Sequence, residues 1–140
     1  MACTNKSRRK FIKNSAIASS IFIVPRNVLG GVGYTAPSDQ LNLAGIGLHG
    51  KGQSDILHSS VGGRENVVAL CDVHENAYGA QQALKNFPKA KFYTDFREML
   101  DKEDLDGVTI STPDHTHANI SKTAKEKGIH VYVQTPLTHN

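Results

Sequence analysis

A short apolar run, Leu41–Ile46, leads into Gly45-Ile46-Gly47-Leu48-His49-Gly50, and a helical pattern over Lys51–Ser59 follows at once. Three glycines in a G-x-G-x-x-G spacing, set between a strand and a helix, restrict the backbone to a tight strand-to-helix turn. Gly45 is expected to permit the turn, and Gly47 to let another group approach the backbone with no Cβ in the way. Gly50 is expected to let the helix pack closely on the strand. A turn of this kind opens a βαβ unit, so the chain around it should build a parallel sheet.

The rest of the chain agrees. Asn66–Cys71 has the composition of a strand covered on both faces, Lys91–Tyr93 is a minimal third strand, Gly107–Ser111 a fourth and His130–Gln134 a fifth. Helical patterns lie between them. His74–Asn86 is stopped by Pro88, a helix begins at Asp95 with Glu98 in capping-box spacing, and Thr116–Lys127 ends at Gly128. The prediction is an α/β fold with a doubly wound parallel sheet, Rossmann-like, in strand order 3-2-1-4-5. At 140 residues there is room for one domain of ordinary size.

The formal charge of +3 suggests a mildly basic protein until it is divided along the chain. Lys6, Arg8, Arg9, Lys10, Lys13 and Arg26 all fall in residues 1–30, which hold no acidic side chain, leaving 10 basic against 13 acidic groups in the remainder. With no Trp and 6% aromatic residues, nothing here suits a nucleic-acid surface. Residues 1–30 instead pair a charged start with an apolar stretch, Ala16–Val24, too short for the ~20 residues of a membrane-spanning helix. Ser7-Arg8-Arg9-Lys10-Phe11 has the form of a twin-arginine signal, the route that carries folded proteins, so export to the periplasm is expected. Whether the signal is cleaved near Gly30 or kept as a tether stays open, as does an amphipathic N-terminal helix that merely contains two arginines. Residues 31–40 read as a linker and 41–140 as the folded domain. Cys71 is the one cysteine beyond the leader, which excludes an internal disulfide and a zinc-finger type of site.

Asp72 ends the second strand 22 residues after Gly50. That is the spacing of an acidic residue that accepts both ribose hydroxyls of a dinucleotide whose pyrophosphate sits on the helix N-terminus. A carboxylate there repels a 2′-phosphate, favouring NAD over NADP. The competing account makes Asp72 a solvated strand-end residue or the cap of the next helix. After the fourth strand, Ser111-Thr112-Pro113-Asp114-His115-Thr116-His117 would lie at the carboxyl edge of the sheet, where ligands bind. His115 and His117 have no partner at a convincing metal-ligand spacing, so no metal is assigned. Capping by Thr116 and hydrogen bonding by the histidines compete with contact to a cofactor.

The leader, the glycine turn, Cys71-Asp72, the Ser111–His117 segment and Val131-Tyr132-Val133-Gln134 together resemble the Gfo/Idh/MocA oxidoreductase family, in that family's order, from Ser7 onward. The resemblance implies hydride transfer between NAD(P) and a sugar or related polyol. It implies nucleotide contacts at Gly45, Gly47, Leu48, His49, Gly50 and Asp72, with Ser111, Thr112, Pro113 and His115 on the nicotinamide side and Gln134, Thr135 and Pro136 beside it. The family carries a Lys where this chain has Thr135, and a hydroxyl cannot act as a tuned cationic acid or base. Loss of such a group lowers rates by about 10²–10⁴. The family also continues into a substrate domain, and no catalytic residue is assigned within these 140 residues. The expectation is therefore the NAD-binding part of an exported sugar or polyol oxidoreductase, a fragment inactive alone. Related enzymes use a transient oxidation to cleave glycosidic bonds, so a complete relative is expected to be an oxidoreductase or a glycosidase. Two further readings are a non-catalytic NAD-binding module and an inert gene remnant with exposed apolar surface.

Overall fold

The computed structural model describes residues 35–137. The expected export signal and residues 31–34 of the expected linker lie outside the described residues. One compact unit takes in the chain from Pro37 onward, opening with a 3₁₀ turn at Pro37–Asp39.

Five strands, β1 (Asn42–Ile46), β2 (Asn66–Cys71), β3 (Lys91–Tyr93), β4 (Gly107–Ile110) and β5 (His130–Val133), form one parallel sheet in the order β3-β2-β1-β4-β5. Helices α1 (Lys51–Ser59), α2 (Tyr78–Asn86), α3 (Phe96–Lys102) and α4 (Asp114–Glu126) connect them. This is the predicted doubly wound topology. The order reverses between β1 and β4, which opens a crevice at their carboxyl ends.

Two cores sandwich the sheet. Ala44, Ile46, Ala69, Val108 and Ile110 pack on one face against Met99 and Leu100 of α3 and Ile120 and Ala124 of α4. Leu70 packs on the other face with Ile56 of α1 and Ala80 and Ala83 of α2. A register shift between Leu43 and Ala44 leaves Val68 without a pairing partner on β1. Val68 and Ala69 consequently pack on the same core, as a bulge allows.

Element boundaries differ from the sequence expectation where local polar chemistry intervenes. Ser111 and Gln134 fall just outside β4 and β5, although their amides still donate across the ladder to the carbonyls of Ile46 and Ile110 at 2.9 and 3.0 Å. Helix α2 begins at Tyr78 instead of His74, because Asp72 Oδ1 accepts from the His74 amide and the Ala77 amide donates back to His74, closing a turn first. Helix α4 begins at Asp114 with Pro113 as its cap residue, so Thr116 is not the cap. Its hydroxyl instead lies 2.7 Å from the Pro113 carbonyl and from Thr112 Oγ1. Asp95 does cap α3, accepting from the Arg97 amide at 2.8 Å, but Glu98 pairs with Lys102 and does not reach back to complete a capping box.

Candidate functional site

The crevice at the switch point is a cleft of about 490 Å³. Its floor is the turn after β1, with Gly47 and His49, and one wall is the end of β2, Cys71-Asp72-Val73. Thr94, Phe96 and Arg97 extend that wall, and Ser111-Thr112-Pro113 with the first turns of α4 form the other.

The glycines do different work from that expected. Gly47, at φ +80°, is where the turn takes place, and a Cβ there would lie 2.7 Å from the Ser111 carbonyl oxygen. Its amide donates to the Cys71 carbonyl at 2.9 Å, so one glycine joins β1's turn to β2 while lying against β4. Gly45 is inside β1, where a Cβ would press on Leu48 and Ile56 at 3.2 and 3.3 Å; it allows the helix to sit close to the strand. Gly50, expected to do that, faces open space and is needed for its φ of +57° before α1. The tightest helix contact belongs to Gly52, where a Cβ would stand 1.9 Å from the Gly47 carbonyl oxygen.

Asp72 occupies the end of β2, and its carboxylate is already engaged. Oδ2 accepts from the Leu48 amide at 2.8 Å and Oδ1 from the His74 amide at 3.3 Å. It therefore braces the glycine turn. A carboxylate has about four lone-pair sites, so two backbone donors leave capacity for ligand hydroxyls. Leu48 is fully buried in the core under α1 and α2 and contributes only backbone here. His115 is exposed and outside the cleft lining, as are Thr135 and Pro136.

Two residues that the sequence did not single out, Arg97 and Asp55, complete the site together with His117, for which hydrogen bonding was one of the expected accounts. Arg97 lies with its guanidinium carbon 4.5 Å from the Phe96 ring centroid and pairs with Asp95 at 3.5 Å, bringing a cation to the Asp72 side of the cleft. His117, 1% exposed, is placed between two carbonyls, with Nε2 2.7 Å from Thr112 O and Nδ1 2.7 Å from Pro136 O. Asp55 on α1, 3% exposed, accepts from Ser111 Oγ at 2.8 Å, Gln134 Nε2 at 2.7 Å and Lys51 Nζ at 2.8 Å. Burial pushes the Asp55 carboxyl up, yet these three donors outweigh it and hold it below its ordinary value. Gln134 is thus drawn to Asp55 and does not line the cleft. The Cys71 thiol is pushed up to about 12, first by burial and then by the charges of Asp72 and Asp95, so the cleft contains a protonated sulfur.

Among the described residues, no group of three His, Cys, Asp or Glu side chains is arranged to hold a metal ion, and no helix is long and apolar enough to cross a membrane.

Residues 41–140 match the family described as the oxidoreductase family with an NAD-binding Rossmann fold, Gfo/Idh/MocA. The chain is similar to glycosyl hydrolase family 109 protein 1 of Shewanella sp. (strain ANA-3), 33% identical over 134 residues, covering 88% of this chain and 28% of that one. It is similar to an alpha-N-acetylgalactosaminidase of Shewanella oneidensis at 30% over 136 residues, with the same coverage. Among solved structures, myo-inositol 2-dehydrogenase of Lactobacillus plantarum superposes with a TM-score of 0.65 at 25% identity, over 72% of this chain and 30% of that one. The chain spans between a quarter and a third of the length of these relatives.

Proposed function

The chain belongs to the Gfo/Idh/MocA oxidoreductase family and contains its NAD-binding Rossmann domain; from that premise we propose that it serves an exported enzyme that acts through NAD on a hydroxyl of a sugar or polyol. The observation that carries the reading is the turn at Gly47, where backbone from three strand ends converges with no room for a Cβ and the cleft opens over that turn between the ends of β2 and β4. The pyrophosphate would lie over His49, Gly50 and the start of α1, where amides without helical partners favour an anion, the Gly47 and Leu48 amides being taken by Cys71 and Asp72. The free lone pairs of Asp72 would take the ribose hydroxyls beside the turn it already braces, and its charge disfavours a 2′-phosphate. When bound, NAD supplies the hydride acceptor; this chain's residues bind it, orient it and exclude water through the apolar wall from Ile46 to Ile120.

The substrate class is supported by the relatives, whose names belong to glycoside-cleaving proteins and an inositol dehydrogenase. Oxidation of a sugar hydroxyl serves either outcome. Thr135 favours a second reading. The residue after Gln134 is exposed, uncharged and outside the cleft, which supports a module that binds NAD without supplying a cationic proton carrier at that position.

Titration of the purified chain with NADH and NADPH, read by nicotinamide fluorescence, tests the cofactor assignment. NADH is expected to bind at least about tenfold tighter, and Asp72→Ala to weaken NADH and erase the preference. Equal affinities in the unaltered protein would remove Asp72 from the ribose site. Export is tested by fractionating cells that make the chain with Arg8→Lys and Arg9→Lys together: retention inside, against release of the unaltered protein, is the expected result, and equal distribution refutes it.

A further inference from the structure

We propose that Asp55 is a positioning residue that holds the loops after β4 and β5 in one arrangement, and thereby sets where the nicotinamide half of a bound dinucleotide is seated. The inference rests on the dinucleotide reading of the cleft. Ser111 and Gln134 are the first residues beyond β4 and β5, far apart in sequence, and both donate to the same oxygen, Asp55 Oδ2. The carboxylate reaches them from a third element, α1, which Gly52 allows to press against the Gly47 turn. Its other oxygen takes Lys51 Nζ, so all its polar capacity on that side is directed at fixing neighbours. The same two loops are joined again by His117, through the carbonyls of Thr112 and Pro136. Two buried polar links thus make residues 111–112 and 134–136 one unit.

This unit lies on the β4–β5 side of the glycine turn. Asp72, the residue suited to the adenosine ribose, lies on the β2 side. A ligand half seated toward β4 and β5 depends on the Asp55 link, whereas one seated toward β2 and β3 does not. Loss of the link should therefore separate the affinity for a whole dinucleotide from the affinity for its adenylate half, which a general loss of structure would not do.

The test compares NADH and ADP binding in the unaltered chain and in Asp55→Ala, Asp55→Asn and Gln134→Met, with thermal unfolding measured for each. Asp55→Ala is expected to weaken NADH by about tenfold and ADP by less than about threefold. Asp55→Asn keeps an oxygen that can accept from Ser111 and Gln134, and should restore most of the NADH affinity. Gln134→Met cuts one arm of the link at a half-exposed position and should show the same split if Asp55→Ala does not fold. NADH affinity unchanged in a folded Asp55→Ala or in Gln134→Met overturns the proposal, as does equal loss of NADH and ADP. If the unaltered chain binds neither nucleotide, the dinucleotide reading falls and this proposal with it; if it binds both and the variants show no split, only the proposal falls.

Discussion

Gly47 and Gly52 meet across a gap that no side chain can enter, and that contact sets the height of α1 above the cleft floor. Both lie in a glycine-rich stretch, yet the spacing alone assigned close packing to Gly50, which has open space around it. Spacing identifies where glycines gather; which one lacks room depends on the helix's approach, and that is decided by Ile56 and Gly45 in the core. Gly52→Ala is expected to destabilise the fold on the order of 3 kcal/mol, since the clash is with backbone that cannot rotate away. Gly62→Ala, at φ +67° with nothing near it, should cost only about 1 kcal/mol. Urea midpoints at constant slope measure both, and equal costs would contradict the packing described here.

At the level of elements, the alternation of strand and helix patterns was legible because each element satisfies its own periodicity. Its ends were less so. The end of a strand is set by its neighbour's carbonyls, as the Ser111 and Gln134 amides show, and the start of a helix by whichever side chain first captures the free amides. Asp72 captures the His74 amide and delays α2, whereas Asp95 captures the Arg97 amide and starts α3 where expected. The cap of α3 rests on one carboxylate. Asp95→Ala should cost about 1 kcal/mol in chemical unfolding, and Glu98→Ala only a few tenths, the value of an exposed pair one helical turn apart. Comparable losses for the two would mean that Glu98 takes part in the cap after all.

For the whole molecule, two carboxylates couple stability to pH in the same direction. Asp55 is held below its ordinary value as described, and Glu103 is lowered first by Lys91 and then by the Tyr93 hydroxyl, whose own value the bond to Glu103 raises to about 12. An acid lowered by folding takes up fewer protons folded than unfolded, so its contribution is complete above the unfolded value and lost as pH falls through the folded one. The thermal midpoint should therefore drop below about pH 4, with a smaller drop in Asp55→Asn; a midpoint unchanged from pH 5 to pH 3 would refute this. The sequence by itself determined the parallel sheet, its order and the place of the glycine turn. These follow from local periodicity, from glycine's freedom and from the handedness of crossovers, all readable along a few consecutive residues. Only the tertiary structure decided that Asp55 joins Ser111 to Gln134, that His117 spans Thr112 and Pro136, and that Arg97 reaches the Asp72 wall. A buried polar group must find partners wherever the packed elements offer them, and no spacing in the chain records which elements those will be.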